Sequence, residues 1–389
     1  MRVLCHAQHL SGVGHFVRMH AIASGLAAGG HEVHLVDGGR PVPRADAGLC
    51  RLTLPRLERV GGRLVGSDGA DGETVVAERA RLLADAVERI RPDVVVVDHF
   101  PFSKWELEPE IAAMAGAAHR HGARVVCSLR DVVRQTTFEN VPPDVYGTRV
   151  LELVSAHFDG VLVHVDPSFV RLEEHFVRAA DLPVPLRHTG FVGTVPESSR
   201  RASSSERYAV LSCGGTAGTS FLRAAIAGFR RATDMRLLVF PDPRTAAVEG
   251  DVLGVAGDER VRVCGFTGDF GSWLAGSALS MSRGGYNTTV DLLHARVPAV
   301  VVPDPRMSDQ RARARRLAEL GLAAIVEGDP PSPEAIAVAI GRALAAPRPR
   351  HSLDLNGVAT TRALLERLVA ERDGTWRSTA TSASRSTRA

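Results

Sequence analysis

The sequence predicts an α/β protein made of two Rossmann-like, doubly wound parallel-sheet domains that face a shared cleft. Three observations carry this. At 389 residues the chain is too long for one ordinary core. Short apolar runs alternate with helical patterns, as in strand–helix–strand units. That alternation stops once, at Thr194–Glu206, and then begins again.

The first run, Arg2–Cys5, enters a loop that carries Gly12 and Gly14. Phe16, Met19, Ile22, Ala23 and Leu26 then recur every three or four residues and end at Gly29-Gly30, a helix with a glycine stop. Further strands are predicted at Glu32–Asp37, Val94–Asp98, Arg124–Leu129 and Val161–Val165. Several are apolar throughout, as strands covered on both faces are. Residues 38–75, rich in Gly, Pro and Arg, read as a long irregular connection. These elements define a first domain over 1–195. The Ser- and Arg-rich stretch 196–206 has no apolar period and reads as the linker. The second domain, 207–352, has strands at Tyr208–Ser212, Arg236–Phe240, Arg260–Cys264, Ala278–Ser282, Ala299–Val302 and Ala323–Val326. A terminal helix over 353–373 and a disordered tail over 374–389 complete the chain.

Composition narrows the function classes. Lys+Arg 47 against Asp+Glu 44 leaves only +3, which gives nucleic-acid binding little support. The longest apolar runs fall far short of the roughly 20 residues a membrane span needs. The polar residues His6, Gln8 and His9 follow the first run at once, so no secretory leader is expected. Peripheral membrane association stays open. Five scattered cysteines without a CxxC pair predict reduced thiols, a cytoplasmic setting and no metal site. No cofactor is implied. The Ala-, Arg- and Val-rich usage suggests a bacterial, high-GC genome.

The segment with most chemical content is Ser282–Asp291 (SRGGYNTTVD), between a strand and a helix. Gly284 and Gly285 at a helix start let backbone N–H groups approach an anion, and the helix dipole favours a diphosphate there. Arg283 supplies a permanent cation beside it. Asn287, Thr288 and Asp291 share one helical face, with Asp291 about one turn beyond Asn287, where a carboxylate can accept from both ribose hydroxyls. A tight turn followed by a solvated helix residue is the blander reading. After the strand Ala299–Val302, Ser308 is the expected N-cap, with Asp309 and Gln310 in the first turn. Their carboxylate and amide suit the hydroxyls of a pyranose, and simple capping fits the spacing equally well.

Here the chain resembles a known family. Ser282–Thr288, the strand ending in Val302-Pro303, and Gln310 look like the C-terminal domain of MurG-type glycosyltransferases. Gly12–Arg18, Val97–Phe102 and Cys127–Asp131 are similar to a related bacterial group of predicted glycosyl transferases. The resemblance covers most of 1–345. It implies a GT-B fold, a nucleotide-diphosphate sugar donor (UDP- or dTDP-linked), a small-molecule acceptor, no metal and inversion at the anomeric carbon. Gly214, Gly215 and Thr216 match the family's second Gly-rich loop near the phosphates, and Phe266 falls where the family's backbone reads the base. Two departures stand out. Asp291 replaces the usual Glu, and the first loop has fewer glycines than MurG itself, so lipid I is not inferred as acceptor. Secondary-metabolite glycosylation, for example of an aminoglycoside, is the pathway expected.

His15 is the candidate base. It opens the first helix at the cleft mouth, where a proton must leave the acceptor hydroxyl, and a neutral imidazole suits that task. A phosphate-binding or capping histidine is the alternative. Asp98 ends a strand on the same sheet edge and is placed to orient His15. His99, Arg130 and Asp131, at neighbouring strand ends, are expected on the acceptor side. A dinucleotide-binding dehydrogenase is disfavoured because Val17 stands where the motif needs Gly or Ala. A nucleotide-sugar hydrolase or epimerase on the same fold, or a non-catalytic binder, remain as rivals.

Overall fold

The computed structural model describes residues 1–371 apart from 11, 43, 45, 132–140, 195–206, 214–218, 242–252, 266 and 329. The expected linker and tail therefore lie outside the described residues.

The N-terminal sheet is built from β1 (Arg2–Ala7), β2 (Glu32–Asp37), β3 (Leu49–Thr53), β6 (Val94–Asp98), β7 (Arg124–Arg130), β8 (Gly160–His164) and β9 (Leu186–His188), with the hairpin β4 (Leu57–Val60) and β5 (Arg63–Gly66) apart from it. Its order is β3-β2-β1-β6-β7-β8-β9, parallel throughout. The helices α1 (Gly14–Ala28), α2 (Gly72–Ile90), α3 (Glu108–Arg120) and α4 (Pro143–His157) follow strands as expected of such units. The strand order reverses between β1 and β6, so the crevice above their carboxyl ends is the natural ligand position. β1 leads to His15 and β6 ends at Asp98.

The C-terminal sheet repeats the plan. β10 (Tyr208–Ser212), β11 (Arg236–Phe240), β12 (Val261–Val263), β13 (Leu279–Ser282), β14 (Ala299–Val301) and β15 (Ala324–Ile325) run parallel in the order β12-β11-β10-β13-β14-β15. Here the switch lies between β10 and β13, and β13 runs straight into Arg283-Gly284-Gly285. The described helices are α5 (Thr219–Ala232), α6 (Phe270–Ala275), α7 (Tyr286–Ala295), α8 (Ser308–Glu319) and α9 (Pro333–Ala345), followed by α10 (Gly357–Ala370).

Three expectations need correction. Residues 38–75 are not merely irregular: they contain edge strand β3, the hairpin and the start of α2. β3 is only half-buried, so its residues show no clean apolar pattern. The hairpin turns at Gly61 and Gly62, both with positive φ (57° and 84°), the conformation a two-residue turn of this hand requires. Ser308 is not the N-cap; it is the first helical residue, after Met307, and no side-chain cap bond forms there. β9 was also not anticipated.

The last helix returns to the other half of the molecule. Leu365 and Leu368 of α10 are buried in one cluster with Phe16, Met19 and Ile22 of α1. A strap before it pairs Phe191 N with Asp354 O (2.8 Å) and Asp354 N with Asp166 Oδ2 (2.7 Å). Two buried leucines contribute about 1.5–3 kcal/mol each, so α10 belongs energetically to the N-terminal sheet. Among the described residues no helix is long and apolar enough to cross a membrane.

Candidate active site

His15 sits in the first turn of α1, and its Nδ1 lies 2.8 Å from Asp98 Oδ2. A carboxylate offers only lone pairs, so Nδ1 carries the hydrogen and Nε2 keeps the lone pair that can take a proton. Two residues that sequence reasoning left without a role complete this centre. Arg18 Nη2 donates to Asp98 Oδ1 (2.5 Å), and Lys104 Nζ donates to Oδ2 (3.0 Å). Arg18 lies one helical turn after His15 and so reaches the same carboxylate from the same helix face. Lys104, held at a positive φ of 62°, arrives from the chain after β6.

These charges set the protonation states. Burial would raise the Asp98 carboxyl, but His15, Lys104 and Arg18 outweigh it and hold Asp98 well below the usual carboxylate range. Burial pushes His15 down to about 3, with Lys104 and Arg130 adding to the fall and Asp98 opposing it. The imidazole is therefore neutral at pH 7 and free to accept a proton. His99, at 3% exposure and with φ 64°, tilts its ring against that of His15 at a centroid distance of 5.4 Å. It was expected to line the acceptor side; it buttresses His15 instead.

Across the cleft, Gly284 adopts φ +68°, and a Cβ there would come within 2.6 Å of Val301 Cγ1. Gly285 then caps α7, with open space where its Cβ would be. The backbone can thus approach a ligand at the helix N-terminus. Arg283 differs from expectation: it is 4% exposed, its guanidinium lies 4.3 Å from the Phe221 ring centroid, and Nη1 donates to Val302 O at 3.4 Å. It is a buried cation beneath the loop rather than an open anion contact.

Asn287 Nδ2 donates to Gly14 O at 3.0 Å, which joins the N-termini of α1 and α7. Next to that contact opens a cleft lined by Arg18 and Arg44 from one half and Phe270, Asn287 and Asp291 from the other. Burial pushes the Asp291 carboxyl up to about 7, with Arg44 opposing. Thr288 is half-exposed in the first turn of α7, and Gly12 lies partly exposed in the loop before α1. Tyr286, part of the motif but given no role from sequence, ties the halves together: its hydroxyl donates to His164 O (2.7 Å) and accepts from Val192 N (3.0 Å).

Other assignments move. Asp131, expected to face the acceptor, is wholly buried in an ion pair with Arg313 of α8. Arg130 approaches Asp309 Oδ2 at 3.9 Å, so it too bridges the halves. Asp309 is 2% exposed and lies 3.4 Å from Arg313, inside this charge cluster rather than open to a sugar. Gln310 Oε1 accepts from Asp304 N at 3.0 Å, which fixes the loop after β14. Gly214, Gly215, Thr216 and Phe266 lie outside the described residues.

Residues 211–351 match the glycosyltransferase family 28 C-terminal domain. A UDP-N-acetylglucosamine–N-acetylmuramyl-(pentapeptide) pyrophosphoryl-undecaprenol N-acetylglucosamine transferase from Sphingopyxis alaskensis is 28% identical over 314 residues, 76% of this chain and 71% of its own length. The chain is a glycosyltransferase, and its C-terminal half is similar to the MurG type. Solved structures agree on its GT-B fold. The MurG of Acinetobacter baumannii superposes with a TM-score of 0.54 at 17% identity, covering 94% of this glycosyltransferase and 99% of that chain. The spinosyn rhamnosyltransferase SpnG gives 0.56 at 19% identity (95% and 96% covered), and the glycosyltransferase VinC, in complex with dTDP, 0.56 at 18% (96% of each).

Proposed function

We propose that this glycosyltransferase moves a sugar from a UDP- or dTDP-linked donor to the hydroxyl of a small-molecule acceptor, with inversion and without a metal ion. The observation that carries the reading is the Asn287–Gly14 contact. It sets a helix start suited to a diphosphate against the helix start that bears the base. In the step proposed, the acceptor oxygen attacks the anomeric carbon and His15 Nε2 takes the hydroxyl proton. The bond from that carbon to the diphosphate oxygen breaks, and its electron pair leaves with the nucleotide, received by the Gly284-Gly285 loop. Asp291 holds the ribose, and Asp98 orients His15. Metal independence and inversion rest on the resemblance to MurG-type enzymes. A nucleotide-diphosphate donor is supported by the name of the Sphingopyxis relative and by the dTDP bound to VinC; a small-molecule acceptor is supported by the spinosyn enzyme. Secondary-metabolite glycosylation is the pathway proposed.

The Asp291 assignment predicts a pH-dependent affinity. Ribose hydroxyls donate more strongly to a carboxylate than to a carboxylic acid, and hydrogen bonds to charged groups are worth about 1.5–3 kcal/mol. Because Asp291 ionises near 7, calorimetry with UDP and dTDP should show binding that tightens from pH 6 to pH 8. Asp291→Asn should weaken it about tenfold or more and remove the part of the pH dependence that the nucleotide phosphate does not itself contribute. Equal affinity and an equal pH profile in the variant would leave Asp291 a plain helix residue.

We propose domain boundaries of 1–195 and 207–352, with α10 packed on the first domain. A fragment spanning 207–352 holds Gly284, Gly285 and Asp291 but omits the helix that needs the other half. Once folded it is expected to bind UDP or dTDP measurably. A folded fragment with no nucleotide affinity would remove the donor site from this half.

A further inference from the structure

Arg313 of α8 is wholly buried, and its guanidinium touches three separate segments. Nε and Nη2 form a two-pronged pair with Asp131, at 2.5 and 2.9 Å, just past β7 of the N-terminal sheet. Nη1 donates to Gly284 O at 2.8 Å, in the loop that opens α7. Nη2 also lies 3.4 Å from Asp309 Oδ2. The hydrogen bond to Gly284 fixes more than one atom. In a planar trans peptide the C=O and the following N–H point in opposite directions. Holding the Gly284 carbonyl toward Arg313 therefore aims the Gly285 N–H away from it. At a positive φ of 68°, with Val301 packed beneath, Gly284 has one well-defined conformation to hold.

We infer that Arg313 is a positioning residue for the donor diphosphate: Asp131 of the opposite domain holds its guanidinium, which in turn holds the Gly284–Gly285 peptide in the orientation that presents the Gly285 N–H to the ligand. This rests on the reading of that loop as the diphosphate site. It makes nucleotide affinity depend on a residue of the domain that does not bind the nucleotide. A bidentate guanidinium also meets two partners in one plane, which an ammonium cannot reproduce.

The test separates positioning from simple cross-bracing of the domains. Full-length wild type, Asp131→Asn, Arg313→Lys and the exchange Asp131→Arg/Arg313→Asp are compared by thermal melting and by calorimetry with UDP and with dTDP. The exchange keeps an ion pair between the domains but places a carboxylate opposite Gly284 O, where it cannot donate. It is expected to regain most of the melting temperature lost in the single variants, while affinity stays about tenfold or more below wild type, the loss of roughly one hydrogen bond to a charged group. Asp131→Asn and Arg313→Lys, which preserve size, are expected to bind about three- to tenfold more weakly at temperatures where both are folded. Wild-type affinity in any folded variant overturns the inference and leaves the donor reading intact. A wild type that binds neither nucleotide overturns the donor reading, and the inference with it. An exchange variant that regains stability and affinity together reduces Arg313 to a brace.

Discussion

His15→Ala is expected to lower turnover about 10²–10⁴-fold, the usual worth of a general base, while calorimetric affinity for the nucleotide barely changes. The asymmetry follows from the geometry. The imidazole sits on the N-terminal side of the cleft, with Nδ1 2.8 Å from Asp98 Oδ2, whereas the diphosphate and ribose candidates all belong to the C-terminal half of the chain. Loss of the base removes an interaction made in the transition state, so kcat and kcat/KM fall together.

The pH profile sharpens that expectation. An unperturbed imidazole would give a limb near 6.5. In this site burial, Lys104 and Arg130 hold His15 near 3, so log kcat/KM, which reports the free enzyme, should be flat in this residue's account from pH 5 upward. The donor brings negative charge toward the same cations and offsets their pull, so any His15 limb should be seen in kcat and displaced upward from that of the free enzyme. A His15→Ala enzyme that keeps its turnover, or that loses nucleotide affinity with kcat intact, would make His15 a phosphate or capping residue and move the search to another group. Free sugar formed from the donor alone would instead identify a hydrolase, and an isomerised donor an epimerase.

What could be read from sequence followed from order and handedness. Right-handed crossovers in a doubly wound sheet bring the first strand beside the one that resumes on its other edge. The turn after Ala7 and the end of Val94–Asp98 therefore meet, and His15 finds Asp98 without any further signal. The same rule set Gly284 and Gly285 at the switch point of the second sheet. The charged partners obey no such rule. Arg18 and Asp98 pair across 80 positions, and Arg313 and Asp131 across 182. In α8, arginines stand at 311, 313, 315 and 316, and nothing local marks the one at 313 as buried. Asp131 and Asp309 look like solvent-facing strand-end and helix-start residues until the opposite domain supplies their cations. β3 was hidden for another reason: an edge strand half in water carries Arg51 and Thr53 beside Leu49 and Leu52, and its pattern fits neither a covered strand nor a helix.

Stability is expected to fall by about 3 kcal/mol or more between pH 7 and pH 5, and the cause is the buried histidines, those around the active site among them. His15, His99 and His164 are all held below their ordinary value, chiefly by burial. Each stays neutral in the folded protein while its counterpart in the unfolded chain takes up a proton below about 6.5. The unfolded state then binds more protons, so stability is fully present above that pH and is lost as pH falls, by about 1.4 kcal/mol per unit for each such group. Asp291 acts in the opposite sense: with its pKa raised to about 7, the folded protein binds the extra proton, which offsets one histidine. These three against Asp291 leave about two protons of net uptake on unfolding near pH 5, and His9, His157, His175, His188 and His294, also lowered chiefly by burial, add to it. The lowered carboxyl of Asp98 enters only below the ordinary carboxylate range and then adds to the loss. Urea titrations at pH 7, 6 and 5 measure the slope directly. His99→Asn, which suits the positive φ at that position, should make the fall shallower by about one proton, or roughly 1.4 kcal/mol per pH unit. Equal stability at pH 7 and pH 5 would mean that these imidazoles are charged in the folded protein, and His15 could not then be the neutral base.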